Sequence, residues 1–166
     1  YDECLWTKLI RRSLFNGLRI PIGIAYEDTA FTYKLIDRAD RVCCKGEPKY
    51  NYIKHDDSTM DRAIKNVKID AVLVYKEMYN FMEQSYPELC DLVILKLTNN
   101  TLSLMNLIIK SGNFDKYKEN YFKIAKILND KFSRTIRLKN YPMNVKILLI
   151  ANKINPILYK QILKII

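Results

Sequence analysis

The chain is poor in turn-forming residues. Its 166 residues hold only 4 glycines and 5 prolines, too few for an all-β architecture with a tight turn between every pair of short strands. Histidine occurs once, at His55, and the four cysteines (Cys4, Cys43, Cys44, Cys90) have neither CxxC spacing nor a histidine cluster beside them. That pattern argues against a closed zinc site and a disulfide framework, and it fits a reducing cytosol. No uninterrupted apolar run reaches the roughly 18 residues of a membrane-spanning helix. The start, Tyr1-Asp2-Glu3-Cys4, is acidic where a signal peptide would be basic. It also lacks Met and reads as part of a helix, so the expectation is a piece of a longer protein.

What is present is apolar residues at 49% and charged residues at 28%, enough for a core under a soluble surface in one domain, or a domain with an appendage. The net charge of +10 is unevenly spread. Residues 1–58 carry 10 basic and 9 acidic side chains; residues 59–166 carry 18 and 9. This shift from +1 to +9 sets the expected domain boundary at Ser58.

Taken in order, residues 1–15 read as a helix, with Leu5, Leu9 and Ile10 at helical spacing and Asn16-Gly17 as its stop. A short extended piece broken by Pro21 leads to Tyr26-Glu27-Asp28-Thr29, and residues 30–38 form a one-sided helix through Phe31, Lys34, Leu35 and Arg38. Residues 41–44 and 49–54 read as strands, the second with Tyr50 and Tyr52 on one face. The remainder is helical. Met60, Ile64, Val67, Ala71, Val74, Met78 and Phe81 make a stripe suited to a bundle or a homodimer seam. Helices are expected over 88–110, 114–132, 143–153 and 156–166, with Pro87, Ser111-Gly112-Asn113 and Pro156 as punctuation.

Two constellations could carry chemistry. Glu27-Asp28 can act as a helix cap, accepting free N–H groups at the positive end of the dipole. It can equally supply a carboxylate that takes a proton from an attacking hydroxyl. Tyr50-Asn51-Tyr52-Ile53-Lys54-His55-Asp56-Asp57-Ser58 reads either as an edge strand with a capping loop, or as a segment whose Lys54 and His55 bring donors to a phosphate or sugar.

The stretch Cys4-Leu5-Trp6-Thr7-Lys8-Leu9-Ile10-Arg11-Arg12-Ser13-Leu14-Phe15 resembles the W-x-K-L-Y-R-x-x-L-F helix of family 2 glycosyltransferases of the GT-A fold. At that family's spacing, Ile20-Pro21-Ile22-Gly23-Ile24-Ala25-Tyr26-Glu27-Asp28-Thr29 is similar to F-P-x-G-x-x-Y-E-D-T, and residues 50–58 resemble the Y-Y-Y-R-x-R-x-x-S segment. The resemblance spans about residues 2–60. It implies a fold that is mainly α with a small β component: residues 1–58 as the C-terminal part of a GT-A α/β catalytic domain, and residues 59–166 as a helical C-terminal extension.

By resemblance, Asp28 would be the general base of an inverting transfer from a nucleotide-sugar to an acceptor hydroxyl, and Glu27 would orient the acceptor or its loop. Trp6 and Lys8 would lie on the acceptor side. Tyr52, Lys54 and His55 would face the substrate, with His55 also placed to touch the diphosphate or the metal. The implied cofactor is a divalent cation, Mg or Mn. Its D-x-D motif is not in this chain, so the donor-binding half is expected upstream and this fragment alone is expected to be inactive. The implied partners are a nucleotide-sugar donor and a carbohydrate or lipid-linked acceptor, in bacterial cell-surface polysaccharide synthesis. The implied location is the cytoplasm or the inner face of the cell membrane.

The last segment sets Lys146, Lys153, Lys160 and Lys164 against Ile147, Ile150, Ile154, Leu158, Ile162 and Ile165. Such a pattern serves either a peripheral membrane contact or docking on neighbouring helices. The rival to the enzyme is a basic helical module that binds a membrane surface or nucleic acid. No recognised nucleic-acid motif is present, and nucleic acid is not an expected partner.

Overall fold

The computed structural model describes residues 3–44, 46–47, 49–51, 53, 68–139, 141–163 and 165. Among the described residues it is mainly helical, with α1 Glu27–Asp37, α2 Asp70–Ser85, α3 Cys90–Lys110, α4 Phe114–Asp130, α5 Phe132–Thr135, α6 Met143–Ile154 and α7 Pro156–Ile162. Short 3-10 turns occupy Leu5–Thr7, Arg12–Phe15 and Pro87–Leu89. The chain divides into two compact units, Tyr1–Val74 and Tyr75–Ile166. The division falls within α2. The boundary expected at Ser58 lies outside the described residues, as do Met60, Ile64 and Val67 of the stripe.

In the first unit the expected helix over residues 1–15 is replaced by two 3-10 turns, neither of which buries a residue. A helix draws most of its stability from packing an apolar face, and here Trp6 and Leu9 are exposed. Local side chains also compete with the backbone. Thr7 Oγ1 and Lys8 Nζ both donate to the Cys4 carbonyl, at 3.0 and 2.6 Å, the oxygen that an α-helical Lys8 N–H would have used.

The segment instead lies along α1. Thr32 Oγ1 donates to the Glu3 carbonyl at 2.7 Å, and the Phe15 and Phe31 rings are 5.7 Å apart. Arg38 donates to the carbonyls of Leu14 and Asn16 at 3.2 and 2.6 Å. Gly17 stops the second turn with a φ of 71°, as Asn16-Gly17 predicts.

There is no strand among the described residues. Residues 41–44 and the described part of 49–54 are irregular and exposed. Val42, Tyr50 and Ile53 are exposed, and among the described residues no strand lies beside them to take up their backbone groups.

The second unit is built around α3. Its buried residues Cys90, Val93, Ile94, Leu97, Thr98, Thr101, Leu102, Met105 and Ile108 repeat at helical spacing, and α4 and α5 pack against it, while α6 packs on α4 and α7. Gly112, at a φ of 73°, ends α3 in the left-handed conformation that suits glycine. The stretch Pro87–Lys110 is long and apolar enough to cross a membrane by length and composition. The continuous-run criterion misses it because Lys96 and the uncharged Thr98, Asn99, Asn100, Thr101, Ser103 and Asn106 interrupt the apolar residues. Nearly half of its apolar window is buried inside the chain.

Polar groups complete this core. Tyr121 Oη donates to the Pro156 carbonyl and Tyr159 Oη to Asn106 Oδ1, both at 2.6 Å. Asn152 Nδ2 donates to Asn129 Oδ1 at 2.8 Å and to the Ala125 carbonyl at 3.2 Å. Of the described part of the predicted stripe, Ala71, Val74 and Met78 are buried within the chain and Phe81 is half-buried.

Candidate functional site

The predicted Glu27-Asp28 pair sits in the first turn of α1 rather than in front of it. The helix begins at Glu27, three residues earlier than the apolar spacing suggests, and the cap position belongs to Tyr26. Tyr26 makes no side-chain cap hydrogen bond and adopts a φ of 66° and ψ of 32°. Among the described residues it is the only non-glycine with positive φ. That conformation costs roughly 1–2 kcal/mol for a residue with a side chain, so the surroundings must hold it. They do so from both sides. Ala25 N–H donates to Asp70 Oδ2 at 2.9 Å, and Ala30 N–H donates to the Tyr26 carbonyl at 3.0 Å.

Asp70 therefore clamps the turn across 45 residues of sequence. Asp70→Ala is expected to lose about 1–2 kcal/mol, the usual loss when a partly buried N–H is deprived of a charged acceptor. Urea denaturation checks this value, and an unchanged midpoint would mean that Asp70 does not hold the turn.

Asp28 is half-buried and Glu27 exposed. Asp28 Oδ1 accepts the Thr29 N–H at 2.7 Å, one of the N–H groups a helix start leaves free. Asp28 thus does the work of a cap from the second helical position. Its Oδ2 accepts no hydrogen bond among the described residues.

Glu3 approaches the same turn, its carboxylate accepting Thr29 Oγ1 at 3.1 Å. The Tyr26 phenol is raised above the ordinary value by burial first, then by the charges of Asp28 and Glu3. It therefore remains a protonated donor at neutral pH beside two carboxylates.

Of the other predicted residues, Trp6 is exposed with its ring 6.2 Å from that of Tyr50. Lys8 Nζ is turned toward the Cys4 carbonyl and Thr7 Oγ1, at 2.6 and 3.0 Å. Glu3 ties the segment that carries both to the start of α1. Tyr52, Lys54 and His55 lie outside the described residues. Glu3 and Asp70 were not legible as parts of this site, and the backbone conformation of Tyr26 was not legible either. Asp70 is too far along the chain, and nothing about a tyrosine announces a left-handed backbone. Among the described residues no group of three or more His, Cys, Asp or Glu side chains could hold a metal ion.

An open cleft of about 790 Å³ lies in the second unit. Four of its charged side chains pair with one another. Lys131 Nζ meets Glu83 at 3.3 Å and lies 4.2 Å from the Tyr79 ring centre. Tyr79 Oη donates to Glu83 at 2.9 Å, and Arg134 Nε meets Asp91 at 2.7 Å. The Tyr79 hydrogen bond is the main reason the Glu83 carboxyl is held below its ordinary value. This network fastens α5 to the end of α2 and the start of α3, while Asp130, Arg137 and Lys139 also line the cleft without an ion pair among the described residues.

No family model matches the chain, and neither a curated protein nor a solved structure matches it.

Proposed function

We propose that the chain is part of an inverting glycosyltransferase of the GT-A kind, its first segment belonging to the catalytic domain and its helices to a C-terminal extension. The observation that carries the reading is Asp28. It lies within three motif-like blocks in the expected order and spacing, with one oxygen held by the helix start and the other unengaged among the described residues.

In this reading Asp28 accepts the proton of an acceptor hydroxyl. The freed oxygen pair forms the new bond to the anomeric carbon, while the bond from that carbon to the diphosphate breaks. The nucleoside diphosphate leaves with the electron pair, and attack from the opposite side inverts the configuration. Glu27, exposed one residue earlier, orients the acceptor. Trp6 and Lys8 border the acceptor side, and Tyr52, Lys54 and His55 belong on the diphosphate side. The implied Mg or Mn would supply charge neutralisation at the leaving diphosphate; the described residues offer no ligand group for it, and the role of Asp28 does not depend on holding it. The finer reading includes the small β component, a cytoplasmic or inner-membrane location and a place in bacterial surface-polysaccharide assembly.

The test is product analysis. Full-length protein is incubated with nucleotide-sugars, a divalent cation and carbohydrate or lipid-linked acceptors. Release of nucleoside diphosphate coupled to a product of inverted anomeric configuration is expected. A product with retained configuration, or no release across the donor panel, would sink the proposal.

A further inference from the structure

We propose that the exposed face of α6 seats the chain on an anionic lipid surface. Met143, Ile147, Ile150 and Ile154 follow one another at intervals of four, three and four residues, which places them on one side of α6. They are 71%, 42%, 45% and 71% exposed. The opposite side, Leu148, Leu149, Ala151 and Asn152, is buried in the bundle. α6 is thus anchored by one face and presents a second apolar face about 16 Å long, at 1.5 Å per residue. The sequence pattern left open whether these isoleucines dock on neighbouring helices. In the structure Ile147, Ile150 and Ile154 do not, whereas Leu158 and Ile162 are partly covered.

Charge decides what covers the stripe. From Lys131 to the end of the chain there are eight Lys or Arg residues and no Asp or Glu. Lys146 flanks the stripe without a partner among the described residues. Lys153 lies on the same flank, its amine 3.3 Å from the Asn129 carbonyl.

A second copy of the chain, meeting the first across a two-fold axis, would bring two such cationic surroundings together. A nucleic acid would satisfy the charge but leave the isoleucines against phosphates and water. An anionic bilayer accepts both features at once: apolar side chains enter the boundary between headgroups and acyl chains, and the lysines stay among the headgroups. At 12 residues, α6 is too short to span the roughly 30 Å hydrocarbon core, so it lies in the surface plane. The inference is independent of the glycosyltransferase reading.

The experiment is co-sedimentation of the full chain with vesicles of phosphatidylcholine alone, or of phosphatidylcholine mixed with phosphatidylglycerol, across a salt series. Binding to the mixed vesicles alone is expected, weakening with salt. Because residue 150 is exposed, Ile150→Asp should keep the wild-type circular dichroism and lose at least about tenfold in partitioning, and Lys146→Glu should lose a few-fold. Equal binding to both vesicle types, no binding to either, or mixed-vesicle binding that Ile150→Asp leaves intact would overturn the proposal. A concentration-dependent dimer that Ile150→Asp dissolves would assign the stripe to a second copy instead.

Discussion

In full-length protein, if Asp28 is the general base proposed above, Asp28→Asn is expected to lower sugar transfer by about a thousandfold, the scale of a lost general base, and to leave nucleotide-sugar affinity unchanged. The substitution is chosen for what it keeps. An asparagine Oδ1 can still accept the Thr29 N–H that Asp28 accepts at 2.7 Å, so the first turn of α1 retains its satisfied donor. What disappears is the negative charge at the helix start, a stability effect of about 0.3–1 kcal/mol, and the capacity to take up a proton. A base role therefore predicts a collapse in kcat with a nearly unmoved melting temperature. A purely capping role predicts the reverse ranking: Asp28→Ala destabilises more than Asp28→Asn, and both retain turnover once folded. Glu27→Gln, at the exposed neighbour, should cost about tenfold at most if it only orients the acceptor. Asp28→Asn that keeps a tenth or more of the wild-type rate would remove Asp28 from the base role.

The difference between these two substitutions reflects what the sequence revealed and what it concealed. Helices over 90–110, 114–130 and 143–154 were readable because apolar residues recur at the helical period and Pro87, Gly112 and Pro156 mark the ends. The same logic failed for residues 1–15, where Leu5, Leu9 and Ile10 have the right spacing but too little apolar surface to bury and the Cys4 carbonyl is claimed by side chains. The strands expected over 41–44 and 49–54 also failed, since the described residues of both are irregular and no strand lies beside them among the described residues. In the candidate site the carboxylates were visible as a motif, whereas the frame that aims them was not. The left-handed Tyr26 and the Ala25–Asp70 clamp depend on tertiary placement, which local spacing does not encode. On α6 the pattern identified an amphipathic helix, but only the packed bundle shows that both of its faces are apolar.

The second unit should unfold steeply in alkali, and its tyrosines supply the reason. Tyr121 and Tyr159 have no exposed surface, and burial pushes both phenols well above their ordinary range, with Tyr159 adding to the effect on Tyr121. Each hydroxyl is also a donor, to the Pro156 carbonyl and to Asn106 Oδ1, and a phenolate would turn that contact into repulsion between two acceptors. In the unfolded chain the same phenols titrate near 10. The unfolded state therefore releases these two protons first. Stability is fully present below about pH 10 and falls as pH rises toward the folded values, by about 1.4 kcal/mol per pH unit for each group. Two groups acting together remove about 3 kcal/mol between pH 10 and 11.5, a large share of the 5–15 kcal/mol typical of a domain. The discriminating quantity is the difference between variants, in which every other titrating group is shared. Tyr121→Phe and Tyr159→Phe each sacrifice one hydrogen bond, about 1 kcal/mol at neutral pH, yet each should flatten the alkaline slope of the urea-derived stability by one proton. The two variants then converge on the wild type as pH rises. Parallel curves for wild type and both phenylalanine variants would mean that these two hydroxyls keep no proton advantage in the folded chain, because a tyrosine that titrates equally in both states adds nothing to the slope.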